Sequence, residues 1–191
     1  GKKAEASETL TRARRLLPDE DPSAAAESAL LCLDKGDLEG ATQHIDAASI
    51  RGEGAIVSYV RGNIAARQGH LRSALTYFDE AIEIDPTHVR ARLNRTSIHM
   101  ANENAQAALD DANVLLELAP GLALAKLRKA EANMMLSNWE EAKDDLEQIV
   151  EDAPHHHHAL TQLASCFMAM DRPEKAEAPL NEALRLAPEH T

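Results

Sequence analysis

The chain has 191 residues, 44% hydrophobic and 27% charged, a balance that supports a buried core and lies outside the weakly hydrophobic composition of disordered segments. Aromatic residues make up only 3% and alanine is abundant, which suits closely packed helices better than a β-sandwich. A formal net charge of −12 argues against nucleic acid as a partner, because affinity for phosphate comes from clustered Lys and Arg.

In chain order, Ala6, Leu10 and Ala13 followed by Pro18 predict a helix within residues 1–18, stopped by the proline. Gly36, Ala41, Ile45 and Ala48 predict a helical hairpin over residues 22–54. Downstream, Pro86, Pro120, Pro154 and Pro188 each stand 34 residues after the one before. Twelve residues ahead of each is an alanine, namely Ala74, Ala108, Ala142 and Ala176, and small residues also recur at Gly62, Ala130 and Ala164. Helical apolar patterns flank short polar breaks such as "RQGH" at Arg67 to His70 and "DRPE" at Asp171 to Glu174. These spacings predict four more hairpins, at 55–88, 89–122, 123–156 and 157–190. One amphipathic hairpin cannot bury its apolar side alone, so hairpins of fixed period stack in series around a shared core. The whole of 1–191 therefore reads as a single all-α array, with 1–18 as the second helix of a truncated unit. The start at Gly1, in mid-pattern, is read as the start of a fragment of a longer array.

The unit Ala55 to His88, "AIVSYVRGNIAARQGHLRSALTYFDEAIEIDPTH", resembles a tetratricopeptide repeat. Small residues at its eighth, twentieth and twenty-seventh positions (Gly62, Ala74, Ala81), Phe78 at the twenty-fourth and Pro86 at the thirty-second carry the resemblance. In the other units Thr96 and Leu115 are larger than the pattern prefers and the aromatic column reads Ala112, Leu146 and Leu180, so looser packing is expected there. The resemblance implies a right-handed superhelical solenoid of helix-turn-helix repeats whose concave wall is built from the first helix of each unit.

On such a first helix, positions 2, 5, 9 and 12 share a stripe, with 6 and 13 beside it. Position 5 holds Tyr59, Leu93, Leu127 and Thr161, and position 12 holds Ala66, Met100, Met134 and Met168. With Ile56 and Met135 these residues outline an apolar groove in which flexible thioethers fit several partner shapes. The competing reading makes the methionines gap fillers between helices. Among the family's subtypes, the carboxylate clamp that holds acidic chaperone tails is matched at Asn63, Asn94 and Arg128, but Tyr59 and Leu124 stand where it requires lysines. Chaperone-tail binding is therefore not expected. Asn63 and Asn94 remain candidates to bond a peptide backbone, with Arg90 and Arg128 offering charge.

Other motifs carry less. Cys32 and Cys166 fall in distant units and read as small, unpaired hydrophobes. The run His155 to His158 reads as a turn and helix start between units, since neighbouring helix residues diverge and no further ligand completes a metal site. "NRT" at Asn94 to Thr96 has the form of a glycosylation sequon but lies in an expected helix. Trp139 is expected to pack at a hairpin corner, and the acidic runs of the second helices read as a solvated outer face.

No nucleotide loop, metal-ligand set or paired nucleophile and base is present, so neither an enzyme nor a cofactor is expected. No apolar run is long enough to span a bilayer, and a soluble protein is expected, cytoplasmic or periplasmic. The expected partner is a protein or peptide held in the groove Ile56, Tyr59, Asn63, Arg90, Leu93, Asn94, Met100, Leu127, Arg128, Met134 and Met168. The alternative is a structural spacer or self-assembling module, a possible homo-oligomer. A narrower likeness of the Ala-rich units to bacterial repeat proteins of exopolysaccharide assembly and envelope secretion accords with that alternative.

Overall fold

The computed structural model describes residues 22–51 and 54–186, so the helix expected within 1–18 and the turn at Pro188 lie outside the described residues. Among the described residues there are ten helices and no strand: α1 (Pro22–Asp34), α2 (Leu38–Arg51), α3 (Ala55–Arg67), α4 (Leu71–Ile84), α5 (Val89–Ala101), α6 (Ala105–Leu118), α7 (Ala123–Met135), α8 (Trp139–Asp152), α9 (His157–Ala169) and α10 (Pro173–Leu186). From α3 onward, first helices begin at 55, 89, 123 and 157 and second helices at 71, 105, 139 and 173, a period of 34. No described helix is long and apolar enough to cross a membrane.

Two local devices impose this period. At the ends of α4, α6 and α8 the residue before proline leaves the helix, because the proline ring disfavours the helical conformation in its predecessor. Asp85, Ala119 and Ala153 accordingly have ψ of 94°, 82° and 80°, just ahead of Pro86, Pro120 and Pro154. At each hairpin corner one residue takes a left-handed conformation: Gly36, Gly69, Glu103, Ser137 and Asp171 have φ of 78°, 79°, 57°, 63° and 57°. The same pair of backbone bonds closes every corner. Around Ser137, its N–H donates to the Met134 carbonyl at 3.0 Å and the Asn138 N–H reaches back to Asn133 at 2.8 Å, a helix-ending Schellman arrangement. Glycine meets this requirement in only the first two corners.

The chain forms two compact units, one ending at Arg95 and the other beginning at Thr96, the division falling inside α5. In the first, α1 packs on α2 and α3, and α3 packs on α2 and α4. Ala26, Ala29, Val60, Ala74, Phe78 and Ala81 have no exposed surface there. A Cβ added to Gly62 would lie 2.4 Å from a carbon of the Phe78 ring, so the glycine is what admits the aromatic. In the second unit each helix from α6 to α10 packs on the next. Its core gathers Leu127, Ala130, Ala142, Leu146, Ile149 and Phe167, with Trp139, the first residue of α8, packed against them. Thr96, Ala112, Leu115 and Leu146, which depart from the pattern, are completely buried. Pro179 sits inside α10, where it withholds one backbone donor.

Candidate peptide-binding site

First helices of three successive pairs meet at a cavity of about 210 Å³ in the first unit. Leu30, Leu33 and Asp34 come from α1, Tyr59, Asn63 and Arg67 from α3, and Asn94 from α5. Helical spacing explains the α3 contribution: positions 5, 9 and 13 of that hairpin fall on one face. Tyr59 is buried at 8% exposure, its ring set between Phe78 (6.2 Å between centroids) and the His88 imidazole (4.8 Å). His88 is itself fixed, since its Nδ1 accepts from the Ala91 N–H at the start of α5. Arg67 donates through Nη1 to the Leu33 carbonyl at 2.7 Å, tying α3 to the end of α1.

The polar feature of the cavity is the contact between Asn94 Nδ2 and Asn63 Oδ1, at 2.6 Å. An amide offers both a donor group and an acceptor. With the pair bonded this way, Asn63 Nδ2 and Asn94 Oδ1 have no partner among the described residues, leaving one donor group and one acceptor. That is the complement of one residue of an extended peptide backbone.

The remaining expected groove residues are distributed differently. Ile56 and Leu93 are half-buried and lie outside the cavity lining, and Arg90 is exposed. In the second unit Leu127, at 9% exposure, belongs to the core, and Met134 packs against that core. Met100 is half-buried, whereas Met168 is 57% exposed, with Leu124 and Met135 at 43% and 42%.

Arg128 is not a free cation. It donates to Glu131 at 2.7 Å, and Glu131 also meets His158 Nε2 at 2.8 Å, so the carboxylate offsets the charge that Arg128 was expected to offer. Glu131 sits three residues along the same helix, a spacing at which opposite charges pair, and that was its signal in the sequence. The other histidines of the run diverge: His156 caps α9 by accepting from the Ala159 N–H, and His155 lies 3.5 Å from Glu182. Leu30, Leu33, Asp34 and Arg67 were not anticipated at the cavity. Arg67 lies at position 13, beside the expected stripe, but the α1 residues belong to a hairpin whose spacing to the next is 33, which blurs alignment with the rest.

Residues 59–123 and 134–191 each match a tetratricopeptide repeat family model, and together these stretches make up more than half of the chain. No curated protein matches the sequence. Among solved structures, MamA (residues 41 to the end) from Desulfovibrio magneticus RS-1 superposes with a TM-score of 0.79 at 18% identity, over 88% of this chain and 96% of that one. YrrB, described as a TPR protein with an unusual peptide-binding site, superposes with a TM-score of 0.81 at 20% identity, over 95% and 93% of the two chains. A tetratricopeptide repeat protein from Parabacteroides merdae ATCC 43184 gives 0.69 at 19% identity, over 96% of this chain and 73% of that one. At such identities the likeness is one of fold, and with the two family matches it leads to one conclusion: this chain belongs to the tetratricopeptide repeat family.

Proposed function

We propose that the chain is a noncatalytic scaffold that captures a segment of another protein along the first helices of its hairpins. The observation that carries this reading is the Asn63–Asn94 pair, bonded at 2.6 Å in a cavity between three first helices with one donor and one acceptor left over. Leu30, Leu33 and Tyr59 supply an apolar setting for one side chain of the guest, and Arg67 and Asp34 supply charge at its edge. In the second unit the exposed Leu124, Met135 and Met168 offer further apolar surface, and adaptable methionines suit guests of varied sequence. The peptide-binding site named for YrrB, a protein of similar fold, lends general support.

Selection from a phage-displayed peptide library tests the proposal. Synthetic versions of enriched peptides should bind the wild type and lose about tenfold in affinity or more with Asn63→Ala and Asn94→Ala together, as expected for losing two backbone bonds. A library that yields no binder, or binders indifferent to both changes, would count against the reading.

One observation favours the self-assembly alternative. On α10, the last described helix, Leu180 and Leu184 are 38% and 45% exposed and offer an apolar edge to a second copy, whereas Leu146, one period before Leu180, is covered by the helix that follows. Light scattering over a range of concentrations decides it: a mass that stays at 20.8 kDa leaves the scaffold reading alone.

A further inference from the structure

A second cavity in the first unit, of about 340 Å³, is lined by residues of α2, α3 and α4 that take no part in the Asn63–Asn94 site. Its volume lies at the lower end of the range for small-molecule sites. Ile45 and Ile64, both nearly inaccessible, contribute a small apolar part of the lining, and polar groups from different helices make up most of its open surface. Arg61 from α3 stands with its guanidinium carbon 5.9 Å from the centre of the Tyr77 ring, and Asp46 comes from α2.

A comparison within the chain shows what is unusual here. Two periods further on, the residues matching Arg61 and Tyr77 are Lys129 and Asp145, and they form an ion pair at 2.9 Å. Where that hairpin neutralises its cation with a carboxylate, this one presents an aromatic face. Tyr77 steadies the guanidinium from one side and leaves its in-plane N–H groups open. Asp46 lines the same cavity, yet among the described residues neither it nor Arg61 joins an ion pair. Two opposite charges thus border one cavity without pairing with each other, with apolar side chains beside them.

We infer that this cavity is a binding site for a small zwitterion of the α-amino-acid class. The ligand carboxylate is held by the Arg61 guanidinium in a fork of parallel hydrogen bonds. Its ammonium is held by Asp46, Gln68 supplies an amide at the rim, and an apolar side chain rests on Ile45 and Ile64. A ligand with a single charge leaves one of the two groups unmatched.

Titration of the full chain with L-leucine, followed by NMR of the Arg61 and Tyr77 resonances, tests the inference, with N-acetyl-leucine and leucinamide as single-charge controls. L-leucine should produce saturable shifts, and each control should bind about tenfold more weakly or worse, the cost of one lost charge-assisted bond. Asp46→Asn, a change at an exposed side chain, and Arg61→Gln should each weaken leucine binding by a similar factor, with circular dichroism reporting an intact fold. Asn63→Ala with Asn94→Ala should leave it unchanged, which separates this site from the peptide site. Absence of any shift up to the solubility limit of leucine would overturn the inference, as would equal binding of either control or an affinity unaffected by Asp46→Asn.

Discussion

Asn94 donates to Asn63 across the gap between α5 and α3, and the 2.6 Å contact couples two first helices at the same point where a guest backbone would be read. Stability and recognition are therefore expected to respond together. Replacing either asparagine by alanine should cost about 0.5–1.5 kcal/mol in urea unfolding, and the double variant should cost little more than the worse single one. Additive losses would show that the two amides act independently.

Gly62 and Phe78 form a pair of opposite size. Gly62→Ala places a methyl group against the ring, and with Phe78 completely buried in close-packed surroundings the ring has little room to yield. A loss of about 1–3 kcal/mol is expected. Adding Phe78→Leu should recover part of it, and a double-mutant cycle that shows no coupling would refute the steric account.

The hairpin corners predict a gain. Ser137 and Glu103 occupy left-handed conformations that cost a residue with a Cβ about 1–2 kcal/mol. Ser137→Gly should raise stability by about 0.5–1 kcal/mol after the extra flexibility of glycine in the unfolded chain is counted. Gly69→Ala should lower it by a similar amount, although nothing crowds the position a methyl would take. Thermal melts of the two variants should move in opposite directions.

Cys166 has no exposed surface, and burial pushes its thiol up to about 11 from 9.0. Thiol reagents should modify the half-buried Cys32 in the native protein and reach Cys166 only on unfolding. The sign of the pH effect follows from the raised value. The folded state keeps its proton where the unfolded state gives it up, so this contribution to stability is complete below pH 9 and declines as pH rises toward about 11. Cys166→Ala should flatten that alkaline decline, and an unchanged slope would assign it elsewhere.

The fold was legible because its period is written by residues with backbone consequences. Pro86, Pro120 and Pro154 follow the ends of α4, α6 and α8 at a fixed interval, and the alanines at 74, 108, 142 and 176 are buried wherever two helices approach closely. Depth was less legible. Helical spacing places Tyr59 and Leu127 on equivalent stripes and both are buried, yet Tyr59 lines a cavity while Leu127 joins a core cluster, because the residues of the neighbouring helices differ around each. The three methionines at one position separate for the same reason: Met134 packs inward and Met168 stands exposed. Charge was the least legible, since Arg128 reads as available until Glu131 is seen to hold it. The turn requirement at Glu103, Ser137 and Asp171 left no glycine to mark it.

The fit of Gly62 to Phe78 means that hairpins of one fold are not interchangeable bricks. At the matching places another hairpin carries Thr96 and Ala112, both fully enclosed, with the bulk transferred to the opposite helix. A chimera that joins the first helix of one hairpin to the second helix of the other would bring two large side chains together or leave a hollow. Divergence along this array thus has to proceed by matched exchanges, and each hairpin bears its own record of them.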